Sequence, residues 1–296
     1  MLKSHGRYAF SPIMARPTYS WPNGKRLAVY IALNIEHFAF AEGLGSSLAG
    51  ERPPLDHRNY AWRDWGNRVC VWRLFDLFDE LNIPVAHLVN TAIYDYAPEI
   101  MAPIRRRGDE VVCHGRSNSE SQNDMNEADE RRLLSEVRDT IARHEGKPPG
   151  GWMGPWMTET RPTLDLLKET GYRYSLDWPA DDQPIWLKTR AGPLLNIPYP
   201  LEVNDSPAIV YRQASHDEFA RMIVDSFEEM RFQSEKQPLV FPISLHTFVI
   251  GQPFRLRELR RALRHIANRA GDIWLTRPGD IADHIHSLPA GTLPGG

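Results

Sequence analysis

Three apolar stretches of this chain stop at a histidine. Residues 27–37 read L-A-V-Y-I-A-L-N-I-E-H, residues 110–114 read E-V-V-C-H, and residues 239–246 read L-V-F-P-I-S-L-H. The first also sets Glu36 beside His37. A carboxylate and imidazoles gathered in one place can run hydrolysis. Glu36 can activate water, a histidine can protonate a leaving nitrogen or oxygen, and backbone amides can hold the oxyanion. Asp181 and Asp182 are further carboxylates for such a site. Metal is the competing use of the same histidines. Zinc needs three protein ligands and an open position. His37 and His114 are candidate ligands, but the run after His114 is G-R-S-N, which puts Asn118 where a second histidine would have stood. Trp152, Trp156, Trp178, Tyr199 and Phe248 are candidates for a flat apolar pocket, or for core or a subunit interface.

The elements that must position these residues follow from periodicity. Residues 27–37 form a near-continuous apolar run, as expected of a strand buried on both faces of a parallel sheet. Further strands are predicted at 84–90, 110–114, 172–176, 194–197, 239–246 and 273–275. Between them, apolar stripes at helical spacing predict helices at 67–81, 98–107, 127–144, 161–169, 217–233 and 255–270. Asn126 is a cap for the third of these, and Gly146 ends it. Residues 38–57, rich in Gly and Pro, are expected to be a long loop that touches substrate, and 150–160 an irregular, aromatic and glycine-rich segment. Strands alternating with helices argue for an α/β fold with a parallel sheet, doubly wound or closed into a barrel; polar residues at successive strand ends favour the barrel.

Composition bounds the rest. The 296 residues suit an irregular N-terminal arm over 1–25 and a single domain over 26–296. The formal net charge of -3 leaves no electrostatic footprint for nucleic acid. Cys70 and Cys113 are too far apart in sequence for a thiolate metal cage, and a disulfide framework is not expected. There is no apolar run of about 18 residues, and no leader-like opening, so no membrane partner is expected and the expected compartment is the cytoplasm. No glycine-rich run has the strand-turn-helix context of a phosphate loop, and no nucleophile elbow supports a serine triad.

In order, the segments W-P-N-G-K-R-L-A-V, L-N-I-E-H-F, W-G-N-R-V-C-V-W-R-L, V-C-H-G-R-S-N, G-W-M-G-P-W, D-W-P-A-D-D-Q-P, I-P-Y-P-L-E-V-N-D and I-S-L-H span about residues 21–285. Together they resemble the polysaccharide deacetylase (NodB-homology) superfamily, in particular its PuuE-like branch of allantoinases and cyclic imide hydrolases. The resemblance implies a distorted (β/α) barrel of that type and a homo-oligomer, a tetramer or dimer. It also implies hydrolysis of a carbon-nitrogen bond in a small cyclic amide such as succinimide, hydantoin or allantoin. Glu36 stands where the family carries its catalytic base, and His37 where it carries a metal-binding aspartate. His114 and Asn118 match its two ligand histidines, and His246 its acid. Two of the three ligand positions are altered, so the expectation is that no cofactor is required, the alternative being one divalent metal such as zinc on His37 and His114. The catalytic set is then Glu36, His246 and His114, with His37, Asn118, Trp156, Asp181, Asp182 and Arg255 binding substrate. The aspartates would meet imide N–H groups or orient a histidine, and Arg255 would steady a carboxylate or carbonyl. The alternatives are a metal-dependent deacetylase of N-acetylated sugars and a non-catalytic barrel.

Overall fold

Side-chain alternation along a few parallel strands decides what this barrel places at its mouth. The structure is a computed structural model that describes residues 3–46 and 56–296. Its strands are β1 (Leu27–Ile35), β2 (Val85–Val89), β3 (Glu110–Cys113), β4 (Gly151–Trp152), β5 (Tyr174–Ser175), β6 (Ile185–Leu187), β7 (Leu194–Asn196), β8 (Leu239–His246) and β9 (Trp274–Leu275). They form one curled sheet in the order β6-β7-β5-β4-β3-β2-β1-β8, parallel throughout except for β6 against β7. β1 is central. One edge pairs with β8 from Leu27 to Asn34; the other pairs with β9 at Ala28 and Val29, then with β2 from Ile31 onward.

Successive residues of a strand point to opposite faces. Leu27, Val29, Ile31, Leu33 and Ile35 of β1 pack outward, in one cluster with the buried faces of helices Val71–Leu81, Glu127–Glu145, His216–Gln233 and Pro253–Ala267. Ala28, Tyr30 and Ala32 point inward, and meet Ala86, Leu88, Val112, Tyr174, Leu195 and Val240 in the barrel interior. The bottom is plugged by Tyr19, Trp21, Ile281, Ile285 and Leu293. This is the layered filling of a barrel, apolar below and polar at the C-terminal end of its strands.

The barrel is distorted because β8 has no full strand on its outer edge. Instead Val240 N–H donates to the Asp182 carbonyl and Ser244 N–H to the Val203 carbonyl, so the chain on either side of β6 and β7 closes the wall by single hydrogen bonds. The mixed α/β barrel agrees with the architecture read from the sequence.

Several elements start elsewhere than expected. Helix begins at His57 rather than residue 67, because Asp56 accepts a hydrogen bond from Asn59 N–H and caps it. It passes through a π-turn, Gly66–Cys70, before Val71–Leu81. Helix Pro278–Ser287 and strand β6 were not expected at all. Pro278 reads as a breaker but stands in the first helical turn, where proline is tolerated, and three residues are too few to show alternation. The expected loop over 38–57 lies partly outside the described residues. Among the described residues no helix is long and apolar enough to cross a membrane, and Cys70 and Cys113 are buried free thiols.

The N-terminal arm runs along the barrel instead of forming regular strands or α-helices. Arg16 forks onto Asp181 with contacts of 2.7 and 2.6 Å, and the Trp21 indole donates to the Leu239 carbonyl. Arg16 is nearly inaccessible, so removing its carboxylate leaves a buried charge without its counter-ion, held only by Gln183 and Ser11 among the described residues. Asp181→Ala should lower unfolding stability by about 3 kcal/mol in urea titration while leaving kcat/KM near that of the native protein. A selective loss of turnover at unchanged stability would instead put Asp181 in the site.

Candidate active site

The inward rows of four neighbouring strands end in polar residues. Past Ala32 the β1 row continues to Asn34 and Glu36; past Leu88 the β2 row reaches Asn90. The β3 row passes Val112 to His114, and the β8 row ends at Ser244 and His246. Because β1, β2, β3 and β8 are adjacent and in register, these side chains converge. Asn34, Glu36, His114 and His246 wall a cavity of about 320 Å³ with Phe38, Trp62, Trp156, Tyr199 and Phe248, while Ser244 and Asn90 hydrogen-bond to the lining residues Asn34 and Asn118. That is the lower end of the size range for small-molecule pockets.

Glu36 sits at its centre, only 7% exposed. Burial would push its carboxyl up, but His246, His114 and Arg63 outweigh burial and hold it below the usual carboxylate range. Its Oε1 accepts from the Asn118 amide at 2.6 Å and lies 3.5 Å from His114 Nε2 and 3.7 Å from His246 Nε2. Asn118 is itself fixed. Its Oδ1 accepts from the Asn90 amide at 3.0 Å, and Asn90 also donates to the His114 carbonyl and accepts from His37 N–H. Asn67, in the π-turn, donates to the Glu36 carbonyl at 2.7 Å. Gly66 lets that turn approach, since a Cβ there would strike Thr247 and Phe248.

The two histidines are oriented differently. His114 Nδ1 is 2.7 Å from the Met153 carbonyl, which only accepts, so Nδ1 carries hydrogen. Its Nε2 has no hydrogen-bond partner among the described residues and faces Glu36. His246 is anchored to buried Asp205, which accepts both its backbone N–H at 2.8 Å and its Nδ1–H at 2.7 Å. Burial alone would discharge this ring, but Asp205 and Glu36 outweigh burial and raise its pKa. A carboxylate kept ionised beside an imidazolium kept protonated is a base and an acid ready at the same pH.

The remaining expected residues are spread out. Trp156 lines the cavity; its indole donates to the Asn118 carbonyl at 2.9 Å, and it and Met157 hold left-handed backbone at φ 60° and 55°. His37 follows Glu36 immediately, so alternation turns it outward; its ring packs on Tyr96 at 4.8 Å, beside Asp64 and outside the main cavity. Asp181 and Asp182 lie at the other end of β8: Asp181 pairs with Arg16, and the Asp182 carbonyl accepts from Val240 N–H. Arg255 donates to the Val249 carbonyl and does not line the cavity. Of the aromatics, Trp152 is core against Tyr172, and Trp178 donates to Glu159 in a separate open recess.

The resident metal implied by the resemblance does not fit these side chains. His37 and His114 are not brought together, and Asn118 turns its NH2 group, a donor, toward Glu36. Among the described residues no group of three or more His, Cys, Asp or Glu side chains is arranged to hold a metal ion. Asp205, Asn90 and Arg63 were missed in the sequence. V-N-D preceding a distant L-H carries no spacing signal, whereas Asn90 closes an apolar run in the way Glu36 does.

Comparison with known proteins agrees with this architecture. Residues 62–175 match the family model described as Polysaccharide deacetylase. The crystal structure of PuuE allantoinase superposes with a TM-score of 0.80 at 28% identity, over 94% of this chain and 97% of that one. A Schizosaccharomyces pombe protein provisionally named a polysaccharide deacetylase is 24% identical over 90% of this chain and 92% of its own length. Peptidoglycan deacetylase of Helicobacter pylori is 24% identical over 86% and 95% respectively.

The charges in the site set an expected pH profile. With Glu36 as base and His246 as acid, turnover is expected to fall on the acid side below the usual carboxylate range and on the alkaline side above the usual imidazole range. Asp205→Asn removes the larger of the two carboxylate fields acting on His246, so its pKa drops and the alkaline limb moves to lower pH, with a loss of about 100-fold. A kcat/KM profile with an unmoved alkaline limb would dissociate Asp205 from the acid.

Proposed function

We propose that this hydrolase of the polysaccharide deacetylase family opens the carbon-nitrogen bond of a small cyclic amide, an imide or ureide, without a resident metal. One observation carries the reading. The ionised Glu36 lies 3.7 Å from the charged His246 in a small aromatic-walled cavity, where the family's metal ligands are not assembled. A cavity of about 320 Å³ suits a flat ring better than a polymer strand. The allantoinase name of the superposable structure points the same way.

The chemistry follows from the proton inventory. A water held against Glu36 Oε1, 3.5 Å from His114 Nε2, donates to the carboxylate and so turns a lone pair toward a ring carbonyl. Glu36 takes one of its protons as the oxygen bonds to the carbonyl carbon. The resulting oxyanion collapses, the carbon-nitrogen bond breaks, and the nitrogen takes the proton from His246 Nε2. Glu36 then returns its proton to His246 across 3.7 Å, restoring both groups. Asn118, through Asn90, keeps Oε1 in place at each stage.

Glu36→Gln removes the acceptor while keeping the shape, and should lower kcat by at least about 1,000-fold. His246→Ala should cost a comparable factor. A panel of succinimide, maleimide, hydantoin, allantoin and a chitin oligomer, with and without exhaustive chelation, tests the reading directly. Chelator-resistant opening of a ring supports it. Acetate released from the oligomer and abolished by chelator would make the protein a sugar deacetylase.

A further inference from the structure

Arg63 lines the same cavity from the last turn of helix His57–Trp65, and the mechanism above gives it no bond to make. Its Nε and Nη1 are buried without any hydrogen-bond partner among the described residues. The contrast with Arg107 is sharp, because that guanidinium is satisfied by Asp79, Asp109 and the Ile83 carbonyl. A desolvated cation left unpaired is costly unless something completes it.

Glu36 does not complete it. Arg63 is close enough to favour the ionised carboxylate, yet no ion pair forms between them within 4 Å among the described residues. A guanidinium on a flexible stem would fold onto the carboxylate if neutralising the base were its task. Instead its plane is clamped on Phe38, 3.7 Å from the ring centroid, with Phe248 at 5.7 Å and Trp156 at 6.0 Å. Gly45 makes the seat possible, since a Cβ there would fall 2.1 Å from Nη1. The platform holds the positive charge beside the ring's place and apart from the reacting carboxylate.

We infer that the ring this site opens bears a carboxylate, and that Arg63 is the residue that binds it. This rests on the ring-opening reading. A planar guanidinium fork matches a carboxylate in shape as well as charge. A phosphate would call for several cations or backbone N–H groups, whereas Arg63 is the one arginine or lysine lining this cavity among the described residues. Arg63 is thus a specificity-determining residue, set apart from the groups that move protons.

The test compares hydantoin with hydantoin-5-acetate. The native protein should prefer the carboxylated ring by about 10- to 100-fold in kcat/KM. Arg63→Met should collapse that preference through a raised KM, and Arg63→Lys should restore part of it. Equal or better turnover of the uncharged ring by the native protein would overturn the inference. So would an equal fall in kcat on both rings in Arg63→Met, which would make Arg63 a support of Glu36. Thermal shift with cyclopentanecarboxylate against cyclopentanemethanol separates this inference from the reading beneath it. Stabilisation by the carboxylate in the native protein but not in Arg63→Met upholds the anion site even if no ring is opened. Opening of uncharged rings with no carboxylate stabilisation sinks the inference and leaves the ring-opening reading standing.

Discussion

A carboxylate buried at the end of a hydrophobic strand must be compensated, and the mouth of this barrel is built around that requirement. Left alone, Glu36 would take up a proton and lose its use as a base. The compensation at close range comes from separate directions: an amide on the loop after β3, a histidine ending β3 and a histidine ending β8. Each of these is held by something further back. Asn118 leans on Asn90, His114 on the Met153 carbonyl and His246 on Asp205. The supporting contacts belong to the base as much as the primary ones do.

The parallel ladder makes such convergence cheap in sequence. Adjacent strands in register carry their inward residues to one level, so a single polar substitution at the end of each row adds a wall to the site. Asn34, Glu36, His114 and His246 are all of this kind. Chemistry is confined to the last layer, and the layers beneath remain apolar.

This explains what the chain disclosed before folding. The strand ends were visible because long apolar runs stop abruptly at Glu36, His114 and His246. β8 was bounded to the residue, and the helix capped by Asn126 nearly so. Alternation alone also forbids Glu36 and His37 from facing the same way, a constraint masked by the uniform apolarity of β1 on both faces. Residues acting through tertiary contact were hidden. Asp205 meets His246 across 41 positions, and Arg63 gains its meaning only from a platform 25 residues upstream. Asp181 looked like chemistry because paired carboxylates often are, yet its partner is Arg16 in the arm.

The open seam beside β8 divides the site into two inheritances. Glu36 and the amides that hold it stand on β1, β2 and the loop after β3, beside an unbroken ladder. The partner of His246, Asp205, stands on segment 204–211, which meets β8 through an isolated bridge at Asn204 and the two bonds of Asp205 to His246 rather than through a continuous ladder. That segment also supplies Asn204, Ser206, Pro207, Val210 and Tyr211 to the cavity wall. Substitutions in it would alter the cavity wall and the proton affinity of His246 together, while leaving the ladder that holds Glu36 untouched. In a lineage built on this scaffold, substrate range and pH optimum would therefore evolve as one trait.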